Sequence, residues 1–271
     1  MLVLLASTAI FTSLALAGEP TSATIVSVYD GDTFTLNTGD KVRLRGINTP
    51  ELRPAEAYGI EARDAVRDLV MNQKVTLIYG GPPGSNRDAY DRLVASVRFG
   101  DIDLSTYLLE RGLGHLFVFP GEDMDIEAMK TAQNVAKATG IGMWSIEAYS
   151  GDLHITSFHA NGIYGDDRTH INGEYLRVCN VSARPIELEG FTIRSNANSE
   201  GWTFPSLILP VGYNVKIYSG TGRDQIDPES QLEIYLGNSS PIWNDCSDVA
   251  TIRDRYERVV DIRKHKPKKC Q

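Results

Sequence analysis

From Leu153 to the end, no stretch of the sequence carries an amphipathic helical stripe. HITSFHA, EYLRVCNVS, IELEGFTIRS, GWTFPS, YNVKIYSG, LEIYLG, DVATIRD and ERVVDI follow one another instead. These are short runs rich in β-branched and aromatic residues, separated by Gly, Pro, Asn and Asp. Alternating strands of this length bury one face each, so two such sheets must pack on each other. The expected result is an all-β sandwich of roughly 110 residues. The residues before it follow a different pattern, and SIEAYSGD (145–152) reads as the linker. At 271 residues the chain is long enough for two domains.

In the first half, ATIVSVYD, TFTLNT and KVRLRGI are β-rich runs joined by DGD and GD turns, which predicts a three-stranded meander. AYGIEARDAVRDLVMNQ then places Ile60, Ala62, Ala65, Val66, Leu69 and Val70 on one helical stripe. KVTLIYG is a strand, GGPPGSNRDAY a loop, and RLVASVRF alternates with Leu93, Ala95, Val97 and Phe99 on one face. DLSTYLLERG is a short helix capped by Asp103 and stopped by Gly112. EDMDIEAMKTAQNVAKATG is a longer one, with acids at its start, Lys137 near its end and Gly140 as the stop. This order is that of an α+β OB-fold, a five-stranded barrel with helices, over residues 22–149.

The formal charge of −8 (27 basic, 35 acidic residues) excludes a general polyanion binder, because such affinity rests on Lys and Arg meeting phosphates. Any nucleic-acid contact must come from local basic groups. The basic run Arg263–Lys269 lies in the terminal segment 263–271, read as a mobile end or an attractor of nucleic acid or envelope polymer. Residues 1–17 are uncharged and apolar and end in Ala15-Leu16-Ala17, the pattern of a signal peptide without a basic n-region. Cleavage there makes the protein secreted or cell-surface; retention makes the segment a membrane anchor. Three cysteines lack paired zinc spacing. In an exported chain Cys246 and Cys270, at the two ends of a hairpin, are the expected disulfide pair, and Cys179 a buried apolar residue. The five histidines show no metal-ligand spacing and read as surface or strand residues.

Several charged residues fall at turns in a suggestive order. Phosphodiester cleavage needs an activated water, a cation beside the scissile phosphate, and donors for a five-coordinate phosphorus. Glu51 follows Pro50, which fixes a turn, and can act as a general base. Arg43 and Arg92 are bidentate forks for phosphate oxygens, and Asp32 offers hard oxygen to Ca²⁺. Arg45 shares a strand face with Arg43, and alternation does not choose between them.

Asp30-Gly31-Asp32-Thr33, Arg43, Asn48-Thr49-Pro50-Glu51, Tyr58-Gly59-Ile60-Glu61-Ala62, Arg87-Asp88-Ala89-Tyr90-Asp91-Arg92 and Trp144, taken in order, resemble the staphylococcal nuclease family. The resemblance selects Arg43 by its offset from Glu51. It implies Arg43, Glu51 and Arg92 as catalytic residues, and Asp32, Asn48 and the Thr49 carbonyl as Ca²⁺ ligands. Tyr90, Phe117 and Phe119 are implied as substrate contacts. Asn48 departs from the aspartate common in the family, Ala89 from a lysine, and Phe117 and Phe119 from tyrosines. The second half, through Asn172-Gly173-Glu174-Tyr175, Leu188-Glu189-Gly190-Phe191, Thr203-Phe204-Pro205, Leu209-Pro210-Val211-Gly212 and Trp243-Asn244, looks like a lamin-tail domain; the resemblance covers residues 152–262 and implies an all-β immunoglobulin-like sandwich there. Trp202, Phe204 and Trp243 read there as packing residues. The expectation is an exported Ca²⁺-dependent nuclease acting on DNA and RNA, with an accessory domain that binds nucleic acid or an envelope or protein ligand. The alternatives are a nucleic-acid-binding module without turnover and a cell-surface interaction protein.

Overall fold

The computed structural model describes residues 18–122, 124–160, 170–196, 201–244 and 246–265. The apolar segment 1–17 lies outside them. Among the described residues no helix is long and apolar enough to cross a membrane.

The first half contains β1 (Ser22–Val28), β2 (Thr33–Leu36), β3 (Lys41–Leu44), β4 (Ile47–Asn48), α1 (Gly59–Val70), β5 (Lys74–Ile78), β6 (Leu93–Phe99), β7 (Ile102–Asp103), α2 (Leu104–Glu110), β8 (His115–Leu116) and α3 (Glu127–Thr139). Strands β3, β2, β1, β5 and β6 pair in that order, and β3 pairs in parallel with β6, Val42 against Leu93, to close the barrel. Closure removes the sheet edges. Alternation drives it: Phe34, Leu36, Val42 and Leu44 point inward with Ile25, Leu93, Ala95 and Val97, all essentially buried. Helix α1 covers this core with Ala62, Val66 and Val70. The Asp103 side chain accepts from Thr106 N and starts α2, and Gly140, at φ 63°, ends α3.

Helix α3 begins at Glu127, five residues later than the acidic run suggests. The Glu122 carboxylate is taken by Arg45 Nε (3.4 Å) and by the Phe119 N–H (3.1 Å), and Met124 and Ile126 pack against the barrel core. Those contacts hold the segment out of the helix.

The second half is all β: β9 (Leu153–His159), β10 (Tyr175–Asn180), β11 (Ile186–Glu187), β12 (Thr192–Ser195), β13 (Gly201–Thr203), β14 (Ile208–Leu209), β15 (Asn214–Tyr218), β16 (Gln225–Asp227), β17 (Gln231–Tyr235), β18 (Asp248–Arg253) and β19 (Val259–His265). One sheet runs β16-β17-β15-β10-β9 and the other β13-β12-β18-β19, with β11-β14 as a small separate pair. Leu176, Val178, Val215, Ile217, Ile193, Ile252, Phe204 and Trp243 fill one core, and Trp202 packs half-buried against it. Strand β19 continues through His265, so Arg263, Lys264 and His265 of the basic run are sheet residues rather than a mobile end; residues 266–271 lie outside the described residues. Cys246 is exposed, and its expected partner Cys270 is also outside them.

The two halves share a contact surface. Phe117, Ala136, Met143, Trp144 and Tyr149 pack with Cys179 and Val181. Val118 N donates to Gly212 O (2.8 Å), Asn214 Nδ2 donates to Val118 O (2.7 Å), and the Cys179 thiol points at Leu116 O. A Cβ on Gly212 would fall 2.5 Å from the Leu116 side chain, and φ there is +78°, so this close approach requires glycine.

Candidate active site at the end of the meander

The DGD turn between β1 and β2 buries both aspartates. Asp30 Oδ1 accepts from Asp32 N (3.1 Å), and Asp32 Oδ2 accepts from Thr49 N (2.8 Å) and Thr49 Oγ1 (3.1 Å). A Cβ on Gly31 would stand 2.8 Å from both Ala62 Cβ and Thr49 Cγ2, so the glycine lets the turn press against α1 and the chain after β4. Arg43 Nη1 lies 3.2 Å from Asp32 Oδ2 and donates to the carbonyls of Leu44 (2.8 Å) and Ile47 (2.7 Å). Its Nη2 donates to Asn48 Oδ1 (3.2 Å). Residues from two separate turns are thereby joined. Arg45, which the sequence leaves level with Arg43, turns instead to Glu122.

Arg92 is held by Asp88, Nε at 2.8 Å and Nη2 at 2.7 Å, and reaches Thr33 Oγ1 at 3.5 Å. Thr33 Oγ1 donates to Asp32 Oδ1 (3.1 Å), which completes a chain from Arg92 to Arg43. Arg43, Arg92, Ala89, Tyr90, Phe117 and Phe119 line one cavity of about 250 Å³. Phe117 is a core residue, 6% exposed, whereas Phe119 is 42% exposed and meets it edge-on. Tyr90 is exposed and lies beneath the Arg92 guanidinium.

Burial raises the Glu51 carboxyl above its ordinary pKa, and the charges of Asp32 and Glu56 add to this; Arg43 and Arg263 oppose it. Asp30 is pushed up to about 7, first by burial and then by Asp32 and Glu51, with Arg43 opposing. Three carboxylates therefore sit within electrostatic reach of one another and of one strongly placed cation. That excess of buried negative charge fits a bound divalent ion. Among the described residues no group of three or more His, Cys, Asp or Glu side chains forms a metal site by itself. An ion here would draw on amide and main-chain oxygen as well, the hard donors that suit Ca²⁺. Asn48 Oδ1 already accepts from Arg43 Nη2 and has its second lone pair left for such an ion.

Four further residues belong to the site or its support; Asp30 stands in the DGD turn and its motif but is given no role by the sequence, and the other three carry no local signal. Asp30 is buried against the site. His115, 1% exposed and not a surface residue, places Nε2 3.4 Å from Asn48 Nδ2. Glu56 Oε2 accepts from Glu51 N (2.9 Å), and its other oxygen pairs with Arg263 of β19. His154, also buried, stands 5.7 Å ring to ring from His115 and 3.2 Å from Asp261.

Comparison with known proteins gives the same assignment independently. Residues 41–146 match the model of the staphylococcal nuclease homologue family. The thermonuclease of Staphylococcus intermedius is 31% identical over 124 residues, covering 43% of this chain and 72% of that protein. The thermonuclease of Staphylococcus hyicus is 30% identical over 128 residues, 45% of this chain and 74% of that protein. A probable endonuclease LCL3 from Podospora anserina is 31% identical over 129 residues, but only 44% of its length is covered. With a closed five-stranded barrel, an acidic turn beneath Arg43, and relatives matched over most of their length, this chain belongs to the staphylococcal nuclease family.

Proposed function

We propose that the protein is an exported, Ca²⁺-dependent nuclease that hydrolyses phosphodiester bonds of DNA and RNA with little sequence preference and leaves 3′-phosphate ends. The observation that carries this reading is the convergence of Asp32, Arg43 and Glu51 around a buried excess of negative charge. The names of the similar proteins, two thermonucleases and a probable endonuclease, support it. Glu51, with its raised pKa, takes the proton of the attacking water. Arg43 and Arg92 hold phosphoryl oxygens and stabilise the charge that develops on them. Asp32, Asn48 Oδ1 and the Thr49 carbonyl are the groups that would hold Ca²⁺, which would supply positive charge beside the scissile phosphate. Tyr90 and Phe119 offer ring faces to a nucleotide.

Export rests on the apolar segment 1–17 with its Ala-Leu-Ala end, and a secreted or cell-surface location follows from it. The second half is read as a lamin-tail domain on its sequence pieces, with a binding role toward an envelope or protein ligand. One observation favours a second reading, a binder with weak turnover. Arg43 spends Nη1 on two carbonyls and one Nη2 hydrogen on Asn48, so it meets phosphate with fewer donors than a free guanidinium offers.

Digestion of single-stranded DNA separates the two. Wild type is expected to cut in calcium and not in EGTA. Glu51→Gln should lower kcat by about 10²–10⁴ and Arg92→Ala by about 10²–10³. Equal cleavage by all three proteins would remove the enzymatic role from these residues.

A further inference from the structure

The outer face of the sandwich sheet carries cations that the catalytic reading does not use. Period-two alternation sends Leu176, Val178, Val215 and Ile217 into the core. Tyr175, Arg177, Lys216 and Tyr218 take the opposite face, with Arg177 paired to Lys216 and Tyr175 to Tyr218 across β10 and β15. Arg177 reaches the wall of the same 250 Å³ cavity that Arg43 and Arg92 line. Its Cζ stands 5.2 Å from the centre of the Phe119 ring, and its Nη1 donates to the neutral Asn214 amide oxygen. Lys216 Nζ lies 3.9 Å from the Tyr175 ring centre and 4.4 Å from that of Tyr218.

No ion pair among the described residues includes either cation. The carboxylate within electrostatic reach of both, Glu233, accepts instead from the hydroxyls of Tyr218 (3.1 Å) and Tyr235 (3.0 Å). Both cations are half-buried. Two neighbouring charges of one sign, partly withdrawn from water and lacking a paired acid, destabilise the free protein. Burial, and for Lys216 also the charge of Arg177, lowers the affinity of each for its proton; Lys216 falls to about 8. An anion placed between them relieves that cost. Two acids also line that cavity, and both are already paired, Asp88 with Arg92 and Glu122 with Arg45, while Ala89 beside Asp88 brings no charge. A cavity of this size, faced by the half-open Phe119 ring, suits one unstacked nucleotide rather than a duplex.

We propose that Arg177 and Lys216 form a phosphate subsite, supplied by the second domain, that holds the backbone of single-stranded nucleic acid next to the scissile position. The nuclease cleft is then composite, with one wall from each half of the chain. This rests on the phosphodiesterase reading of the adjacent site and extends it.

The test uses the full chain and a fluorescently labelled oligothymidylate. Its anisotropy is titrated in EGTA across a salt series for wild type, Arg177→Gln, Lys216→Gln, the double variant and Arg177→Lys. Loss of each cation should raise Kd by about tenfold and reduce the slope of log Kd against log salt by about 0.7. Arg177→Lys should keep the slope. In calcium, the double variant should raise KM with kcat unchanged, and duplex binding should change less than single-strand binding. Lys216→Gln alone carries the test if thermal melting shows that Arg177→Gln unfolds. A folded double variant with wild-type Kd and salt slope overturns the subsite while wild-type cleavage leaves the nuclease reading intact. A wild type that binds through these cations but does not cut overturns the nuclease reading and leaves the subsite.

Discussion

Asn48 occupies the site's most unusual position, and its neighbour explains it. His115 Nδ1 lies 2.9 Å from Leu116 O, which assigns the ring hydrogen to Nδ1 and leaves a lone pair on Nε2. That lone pair faces Asn48 Nδ2, so the amide donates to the histidine and turns its oxygen to Arg43. Burial, followed by the charge of His154, holds His115 down at about 3, so the ring stays neutral. A carboxylate at 48 would set acceptor against acceptor in a buried place. Asn48→Asp is therefore expected to lose about 1–3 kcal/mol of stability in EGTA. It should also lower the calcium concentration needed for half-maximal cleavage, because it restores a negative ligand. Urea unfolding in EGTA and a calcium titration of activity check the two halves. An unchanged unfolding midpoint would show that the histidine contact is unimportant. Asn48→Asp with His115→Gln should recover stability, since the Gln amide can donate. Asp32 and Glu51 stand out in the sequence as acids at the turns of one meander, whereas Arg43, Asn48 and Thr49 are singled out only by the family resemblance, since alternation leaves Arg43 level with Arg45. His115 is legible in neither way, because nothing local says that a histidine so far along the chain folds back onto Asn48.

At the level of elements, capping and periodicity carry far: the Asp103 cap and the Gly140 stop are visible as written, and the α1 stripe holds except at Ile60, which is 57% exposed. The start of α3 is not, because two long-range contacts to Glu122 outweigh the local preference of an acidic run for a helix N-terminus. Strand β19 shows the same limit with functional weight. Its Arg263, part of a basic run by composition, is 16% exposed at the side chain, pairs with Glu56 and donates to Ile155 O. Glu56 in turn accepts from the main-chain N–H of Glu51. A strand of the second half thus fixes the loop that carries the candidate base, and Arg263 acts as a positioning residue. Arg263→Gln should lower kcat by about tenfold, since small misplacements of a catalytic group are costly, with KM little altered. Arg263→Lys should restore part of the loss. A parallel fall in kcat and melting temperature without rescue by lysine would indicate a purely structural role.

Across the whole molecule, the contact between the halves is what the sequence conceals. Each half's strand and helix patterns can be read from local periodicity, but no periodicity says that Leu116 packs on Gly212 or that Arg177 faces Phe119. The assembled molecule gathers cations on the sandwich face, and one histidine reports on them. His159 stacks on Tyr175 with ring centres 4.3 Å apart. It is pushed down to about 4, first by burial and then by Lys216, Arg177, His265 and Arg263. The unfolded chain holds this histidine near its ordinary value of about 6.5, so between pH 6.5 and 4 the unfolded state binds more protons than the folded one. Stability from this group is full above that window and is lost as pH falls through it, by roughly 3 kcal/mol at most. Melting temperature should therefore decline on acidification from neutral pH. His159→Phe keeps the stacked ring and removes the titration, so its decline should be shallower and its melting point above wild type at the acid end. If the variant follows the wild-type curve throughout, His159 does not sense the cationic face. Removing Lys216 and Arg177 as well as measuring His159 by its ring proton shifts gives the complementary reading: its pKa should rise in Arg177→Gln and Lys216→Gln, because each takes away a positive charge that opposes protonation.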